Sequence, residues 1–261
     1  MKKKAEHIIV NGDRLEVARY GPSPEKTPTL IFLHEGLGCT EMWRDFPARL
    51  ATATGCGALV YSRLGYGLSD PCPLPRPVSF MHDEGLQGLP ALLDAAGVKQ
   101  CILIGHSDGG SIAIIYAGGT PASPLRGLIT EAAHVFCEKV TLDSIRKARE
   151  EFKRGDLQAK LEKFHGPNTD CAFWGWNGAW LNPDFINWNI EQYLSGIRVP
   201  ILSIQGEDDQ YGTLAQIEAI AGQAGTGAET LILKNCRHSP HHQQEAKTFK
   251  AMQNFIARVF S

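Results

Sequence analysis

The sequence has no marked excess of charge of either sign. Its 26 lysines and arginines nearly balance its 28 aspartates and glutamates, and the formal net charge is −2. Binding to nucleic acid or to an anionic membrane surface usually depends on a strong positive potential. The composition therefore argues against both kinds of partner.

The sequence also lacks any apolar run of the length needed to cross a membrane. Residues 1–7 are basic, but only the short apolar run 8–10 follows them, which is too short for a signal peptide. The seven cysteines are scattered and form no C-x-x-C pair, so we expect reduced thiols. Together these absences predict a cytoplasmic protein without a membrane partner.

Internal repeats and low-complexity segments are missing as well, and 261 residues with 43% hydrophobic content predict one sizeable globular domain. Short apolar runs alternate with helical stretches, as in a parallel sheet whose strands are buried on both faces. A hairpin is predicted over residues 7–20 around Asn11-Gly12, and an apolar stripe from Phe249 to Val259 predicts a helix packed on the sheet. The predicted strands are residues 29–33, 58–61, 101–104, 128–130, 199–204 and 230–233.

This alternation is interrupted between about residues 132 and 196, where four of the five tryptophans lie. We predict a helical lid over residues 132–196, inserted between two parts of a core, residues 1–131 and 197–261. In one interpretation the tryptophans line an apolar substrate pocket, and in the other they form the core of the insert itself. The predicted substrate-binding residues of the insert are Trp174, Trp176 and Trp180.

A Gly-x-Ser-x-Gly motif occupies residues 105–109, between a predicted strand and a helix-like run. This context is required for a nucleophile elbow, in which a sharp turn holds the serine oxygen clear of the backbone. The flanking glycines are needed because a Cβ there would collide with the neighbouring strand and helix. Ser107 is therefore the predicted nucleophile.

A serine nucleophile needs a base that is oriented by a third group, and after an elbow the acid precedes the histidine. The acid is expected just after the strand 199–204, where Glu207, Asp208 and Asp209 compete. We favour Asp209, with Asp208 as second choice, because the turn must extend far enough to direct a carboxylate over the sheet edge.

Three histidines after the last strand, His238, His241 and His242, compete for the role of base. His238 is favoured because it is closest to the strand end. The cluster could also suggest a metal site, but no acidic or cysteine partner has matching helical spacing. We therefore predict no metal and no cofactor.

Acyl transfer also needs N–H groups directed at the developing oxyanion. The backbone of Asp108, directly after the nucleophile, is expected to supply one donor. The glycine-rich loop 34–38 follows the strand 29–33, and its Gly36 or Leu37 amide is expected to supply the second.

These residues together resemble the α/β-hydrolase superfamily over essentially the whole chain, and the turn 62–69 resembles a further element of that family. The Ser-Asp-Gly-Gly elbow most resembles the biphenyl-hydrolase-like branch, with amino-acid-ester (valacyclovir-type) hydrolases, near the meta-cleavage-product hydrolases. The resemblance implies a mostly parallel, eight-stranded sheet flanked by helices, and hydrolysis of an ester or a C–C bond without cofactor. Members with an aspartate nucleophile, such as epoxide hydrolases, differ from this chain at Ser107.

The chain departs from the family pattern at Glu35, where glycine is usual. A carboxylate beside a developing anion is unfavourable, so we expect its side chain to pair with Arg63 or, failing that, Arg44. The Asp108 side chain is expected either to hydrogen-bond within the elbow or to bind a substrate cation, as the resemblance to amino-ester hydrolases suggests.

The leading functional prediction is a hydrolase for a small or aromatic carboxylic ester. Hydrolysis of a C–C bond, a lactone or a thioester would use the same residues and is the alternative within enzymes. A small-ligand receptor with a hydrolase fold is the non-enzymatic alternative. The sequence predicts no particular oligomeric state.

Overall fold

A computed structural model describes residues 6–120 and 124–261, and the basic residues 1–5 considered above lie outside them. In the described part of the chain, one sheet contains eight strands. They are β1 (Glu6–Val10), β2 (Asp13–Tyr20), β3 (Thr29–Leu33), β4 (Gly57–Tyr61), β5 (Cys101–His106), β6 (Leu125–Glu131), β7 (Ile201–Gly206) and β8 (Glu229–Leu233). Their spatial order is β1-β2-β4-β3-β5-β6-β7-β8.

The helices lie between and after these strands. The α-helices of the described residues are α1 (Phe46–Thr54), α2 (Phe80–Asp83), α3 (Leu89–Ala95), α4 (Asp108–Gly119), α5 (Lys139–Arg154), α6 (Leu157–His165), α7 (Thr169–Trp180), α8 (Leu214–Gln223), α9 (Pro240–Gln243) and α10 (Glu245–Val259). A π-helical turn (Glu84–Gly88) joins α2 to α3, and 3-10 turns cover Thr40–Trp43, Gly166–Asn168, Pro183–Asn187 and Glu191–Gly196. None of the helices within residues 6–120 and 124–261 is both long and apolar enough to cross a membrane.

The first two strands form the predicted hairpin. Val10 pairs with Asp13, and the two residues between them, Asn11 and Gly12, have positive φ angles of 54° and 96°. Such angles at both positions match the twist of a two-residue hairpin, which is why Asn-Gly is favoured there. β2 then pairs antiparallel with β4, and the ladders from β4 through β8 are parallel.

Alternate residues of the central strands face two different cores. In β3, Ile31 and Leu33 belong to the core beneath α3, α4 and the helices after β6, whereas Leu30 and Phe32 belong to the core beneath α1 and α10. Successive side chains of a strand point to opposite faces of the sheet, and here both faces are covered. This explains why the strand is a continuous apolar run. The mostly parallel, eight-stranded sheet predicted from the sequence is confirmed.

Several strands extend beyond their predicted bounds, and among them β5 continues to His106 and β6 to Glu131. These polar residues remain in the ladder, where His106 is paired with Glu131. Because the carboxyl ends of parallel strands meet at one edge of a sheet, this extension brings polar groups to the place where a ligand is expected.

The segment between β6 and β7 is helical, as predicted. α5 and α6 cover the charged stretch, and α7 contains the first three tryptophans of the insert. The buried residues of α5 recur on one side of the helix at Leu142, Ile145 and Phe152, and its remaining surface is charged. The division into a core and a lid stays a prediction.

Candidate active site

Ser107 lies in a sharp turn between β5 and α4. Its φ of 53° is in the left-handed region, which is unfavourable for a residue with a side chain. Its backbone N–H donates to the carbonyl oxygen of Glu131 at 2.8 Å, which ties the turn to the neighbouring strand. The surrounding structure therefore fixes Ser107 in a conformation that the residue would not adopt alone.

The glycines of the motif permit this close packing. A Cβ on Gly105 would lie 2.3 Å from the carbonyl oxygen of Gly109, and one on Gly109 would lie 2.2 Å from that of Leu33. Both neighbours are backbone atoms and cannot move aside cheaply. The sequence argument for the two flanking glycines thus agrees with the geometry of the turn.

His238 lies opposite the elbow and is oriented by Asp209. Its Nδ1 is 2.9 Å from both carboxylate oxygens of Asp209, whose side chain is fully buried. Burial would raise the pKa of Asp209, but the His238 charge and hydrogen bond hold this pKa below its ordinary value. The Tyr211 N–H also donates to Asp209 Oδ1 at 2.8 Å, so the acid is an ionised, well-anchored partner for the ring.

The other candidates for acid and base lie elsewhere. Glu207 and Asp208 are exposed, and so is His242. His241 is buried, and its Nδ1 and backbone N–H both contact Glu131 Oε2 at 3.0 Å. Within the described residues no group of three or more histidine, cysteine, aspartate or glutamate side chains is arranged to hold a metal ion.

His106, the residue before the nucleophile, contacts the backbone of the candidate base. Its Nε2 lies 2.6 Å from the carbonyl oxygen of His238 and donates to it. Burial lowers the pKa of His106 well below its ordinary value, so the ring is neutral. This hydrogen bond and the Glu131–His241 contact fix the loop of His238 relative to the elbow.

The oxyanion loop differs from the expected arrangement at Glu35. No ion pair joins Glu35 to Arg63 or Arg44 in the part of the chain that the structure describes, so the expected pairing is wrong. Instead, the Glu35 carboxylate accepts the Leu37 N–H at 2.5 Å, and burial raises the pKa of Glu35. The Leu37 amide is therefore occupied, and Gly36 is the better candidate for the second oxyanion donor.

Arg63 supports this loop through the backbone. Its guanidinium is fully buried and donates to the carbonyl oxygens of His34 at 2.5 Å and Glu35 at 3.1 Å. It also lies over the Tyr66 ring, 4.9 Å from the centroid. The guanidinium thus holds the loop in place without neutralising Glu35 by direct contact.

Asp108 is buried beside the nucleophile, and its two carboxylate oxygens differ. Oδ1 accepts a hydrogen bond from Trp180 Nε1 at 3.1 Å, whereas Oδ2 has no partner among the described residues. Burial raises the pKa of Asp108 to about 6. The side chain thus has one hydrogen-bonded oxygen and one buried oxygen without a partner.

A cavity of about 250 Å³ is lined by most of the predicted site residues, although Asp209 and Trp174 are not among its lining residues. Its lining includes Ser107, Asp108 and His238, together with Gly36, Leu37, Trp176 and Trp180, and no lysine or arginine among the described residues. Trp174 does not line it, which corrects its assignment to the substrate pocket. Its ring packs instead against Phe152 and Phe173, with centroids 5.5 and 5.0 Å away. The insert's tryptophans therefore divide between the cavity and the insert's own core.

The lining residues that were not predicted include His134 and Tyr211. His134 follows the end of β6 and is 2% exposed, and Tyr211 follows Asp209 by two positions. Burial and the nearby His238 charge lower the pKa of His134 to about 4, so it is a neutral ring whose Nδ1 has no partner within the described residues. Their positions just after parallel strands are the signal that could have identified both.

Residues 30–251 match the sequence model of the Alpha/beta hydrolase family, and the chain belongs to this family. It is a hydrolase with the fold that the sequence predicts. Nothing in this membership fixes the bond that is cleaved, because one fold serves many reactions.

Relatives with several activities are similar to the chain. A 2-hydroxy-6-oxononadienedioate/2-hydroxy-6-oxononatrienedioate hydrolase of Paraburkholderia xenovorans is 24% identical, over 95% of this chain and 93% of that protein. A proline iminopeptidase of Lactobacillus acidophilus is 23% identical, over 90% and 92%. An epoxide hydrolase 2 of Siraitia grosvenorii is 32% identical, but the match spans 42% of this chain and only 34% of that protein.

Solved structures share the fold. The esterase EaEST from Exiguobacterium antarcticum superposes with a TM-score of 0.78 at 18% identity, over 97% of this chain and 99% of that one. The enol-lactonase from Burkholderia xenovorans LB400 gives a TM-score of 0.76 at 18% identity, over 96% and 99%. At this identity the likeness establishes the architecture and leaves the substrate open.

Proposed function

We propose that this hydrolase cleaves a carboxylic ester of a small or aromatic substrate through an acyl-enzyme. The proposal rests on the arrangement of side chains around one cavity. Ser107 enters it from a strained elbow, and His238 faces the same space with Asp209 bound to the far side of its ring. Nucleophile, base and orienting acid are the parts that serine acyl transfer needs.

In the first half of the reaction Ser107 Oγ attacks the ester carbonyl, and its proton passes to Nε2 of His238. Asp209 stabilises the imidazolium through the 2.9 Å contacts at Nδ1. The amides of Asp108 and Gly36 bind the oxyanion, each contributing roughly 3 kcal/mol to the transition state. The carbon–oxygen bond then breaks, and the departing alkoxide takes the proton from His238.

In the second half, water attacks the acyl-enzyme carbonyl and gives its proton to His238. The tetrahedral intermediate collapses, Ser107 regains a proton from His238, and the carboxylic acid leaves. The same residues would serve hydrolysis of a lactone, a thioester or a C–C bond.

The cavity favours a substrate with a positive charge close to the reacting carbonyl. Two acidic residues, Glu35 and Asp108, line it, and no lysine or arginine lines it among the described residues. The unpartnered Oδ2 of Asp108 is one residue from the nucleophile. An ammonium group on the acyl part would give this oxygen a charge-assisted hydrogen bond, which supports an amino ester as the preferred substrate.

We further propose that residues 132–196 act as a lid over this cavity. Trp176 and Trp180 of α7 line it, and so do Leu157 and Leu161 of α6. Their apolar surfaces would cover the hydrocarbon part of a substrate and exclude water from the reaction.

The first test compares hydrolysis of a short-chain and an aromatic p-nitrophenyl ester by the wild type, Ser107→Ala and Ser111→Ala. Ser111 is a matched control, because it is buried in α4, the helix that follows Ser107, and donates to the backbone oxygen of His134. We expect the wild type and Ser111→Ala to be active, and folded Ser107→Ala to lose at least about 1000-fold in kcat. Activity that survives in Ser107→Ala would refute the serine mechanism. A wild type inactive on both esters would favour the C–C bond alternative.

A further inference from the structure

Two cysteines lie side by side although 99 residues separate them in the sequence. The sulfur atoms of Cys72 and Cys171 are 3.0 Å apart. The Cys72 N–H donates to Cys171 Sγ at 3.3 Å, and the Cys171 thiol donates to the Cys72 carbonyl oxygen at 3.4 Å. Backbone and side-chain contacts therefore hold the two thiols together.

Neighbouring residues pack closely against the two sulfur atoms. Gly65, with φ of 85°, lies against it, and a Cβ there would be 2.6 Å from Cys72 Sγ and 2.9 Å from Cys171 Sγ. The buried Arg76 donates from Nε to Cys72 Sγ at 3.2 Å. The guanidinium can stabilise negative charge on this sulfur when it loses its proton.

The pair is also more accessible than most of the other thiols. Cys72 and Cys171 are half-buried, whereas Cys39, Cys56, Cys101 and Cys236 are buried. Cys72 lines a cavity of about 340 Å³ that shares no lining residue with the proposed active-site cavity. Because both thiols are partly exposed and this cavity adjoins Cys72, a small reagent could reach the pair without entering the active site.

We propose that Cys72 and Cys171 are a redox site at which a low-molecular-weight disulfide, such as oxidised glutathione, forms a reversible intramolecular disulfide. The sulfurs need to approach by about 1 Å, since a disulfide bond is about 2.0 Å long. The seven cysteines are free thiols in the structure, which is thus the reduced form.

The reaction is a double thiol–disulfide exchange. Cys171 loses its proton to solvent, and its sulfur attacks the oxidant, which releases one small thiolate and leaves a mixed disulfide. Cys72 then loses its proton to solvent, and its sulfur attacks the Cys171 sulfur and releases the second small thiolate. The two small thiolates take up two protons from solvent. Two protein thiols are oxidised and one small disulfide is reduced to two thiols, so that electrons and protons balance.

The order of attack follows from the environment of Cys72. Burial raises the pKa of Cys72 to about 11, and the Arg76 guanidinium opposes this effect only in part. Cys72 is therefore a protonated thiol at neutral pH and acts second, when the mixed disulfide is already beside it.

The bond would tether the start of α7 to the core. Cys171 is the third residue of α7, the helix that also carries Trp176 and Trp180, and Cys72 lies between β4 and α2. A disulfide that closes so long a loop restricts the unfolded chain, and the oxidised protein should unfold at a higher temperature.

The test treats the folded, full-length protein with excess oxidised glutathione, followed by alkylation in denaturant and mass spectrometry. We expect five alkylated cysteines instead of seven, one crosslinked peptide pair containing Cys72 and Cys171, and full reversal by dithiothreitol. The unfolding temperature of the oxidised protein should rise. Cys137→Ser is the matched control, because Cys137 is half-buried but lies elsewhere, and it should behave as the wild type.

Cys171→Ser should form no internal disulfide and show no rise in unfolding temperature, and Cys72→Ser repeats this test if that variant does not fold. The proposal is overturned if seven thiols remain, if glutathione stays attached as a stable adduct, or if the crosslink joins other cysteines. A Cys72–Cys171 crosslink without any rise in unfolding temperature would contradict the tether.

Discussion

At the scale of single residues, the two carboxylate oxygens of Asp108 differ in their contacts. One oxygen accepts the Trp180 indole N–H, which fixes the carboxylate next to the elbow. The other oxygen is buried and has no partner within the described residues, and Asp108 is one of the residues that line the cavity. A buried carboxylate is costly unless something pairs with it, so a cationic substrate would supply what the free protein lacks.

Asp108→Asn should therefore lose kcat/KM on an amino ester by about 10- to 100-fold, because the charge-assisted contact with the ammonium is lost. On the N-acetylated ester the loss should be at most a few-fold. Steady-state kinetics on the two esters provide the measurement, with Trp180→Phe as a control that removes the Oδ1 contact but keeps the charge. Equal losses on both esters would rule out recognition of the cation.

The same substitution should change how stability depends on pH. In the folded protein burial raises the pKa of Asp108 from an ordinary 3.8 to about 6. The folded state therefore binds the Asp108 proton more tightly than the unfolded state does. As pH rises from about 4 through about 6, ionisation of Asp108 lowers the free energy of unfolding of the wild type by about 3 kcal/mol in total. At pH below 4 no such loss is present.

Since asparagine does not titrate in this range, Asp108→Asn should gain free energy of unfolding over the wild type between about pH 4 and about pH 8. Urea unfolding at both ends of the range measures this difference. A stability difference that is the same at the two pH values would contradict the assignment of the shift to Asp108.

At the scale of elements, the turn after β3 and the helix α7 fit together at one glycine. A Cβ on Gly36 would lie 2.2 Å from Trp176 Nε1. The oxyanion loop and the proposed lid thus approach as closely as the absence of a side chain allows.

Gly36→Ala should displace the Trp176 ring or the loop, and we expect kcat/KM to fall by about 10-fold or more. The loss should be smaller when the same change is made in a Trp176→Ala background, because the obstructing ring is gone. Gly178→Ala, also in α7, is a matched control, because an added Cβ there meets nothing within 4 Å. Additive effects of the two substitutions would show that the loop and the helix do not interact in this way.

Features that depend on the pattern of contiguous residues in the sequence could be predicted. Features that depend on residues brought together only by folding could not. The strand 29–33 and the elbow were predictable because apolar runs and glycine spacing are properties of contiguous residues. Trp174 was misplaced because the helix face that turns towards the cavity depends on how α7 packs. Glu35 was paired wrongly because the direction of Arg63 is set by carbonyl groups that only the folded loop brings together.

His134 and Tyr211 were missed for a related reason. Each lies just beyond a strand, but the neighbouring strands β6 and β7 belong to distant parts of the sequence. Which residues face the same cavity depends on the order of strands in the sheet, and a single sequence does not contain that order directly.

At the scale of the whole molecule, the sheet separates two hydrophobic cores that differ in their relation to the cavity. One contains the residues beneath α1 and α10, and none of these residues lines the cavity, whereas the other includes Trp176 and Trp180, which do line it. Substitutions in the first core are expected to affect stability, and those in the second to affect stability and catalysis together.

The helix after the nucleophile is buried from Asp108 to Tyr116, whereas α5 and α6 each expose one face. In native-state hydrogen exchange, amides of α4 should therefore open only with global unfolding, and those of α5 and α6 should open at a lower free energy. Exchange of α4 amides at the lower free energy would contradict this ranking. If this ranking holds, α5 and α6 unfold locally while the elbow stays folded. Refolding of these two helices then restores activity, because the strained conformation of Ser107 does not have to form again.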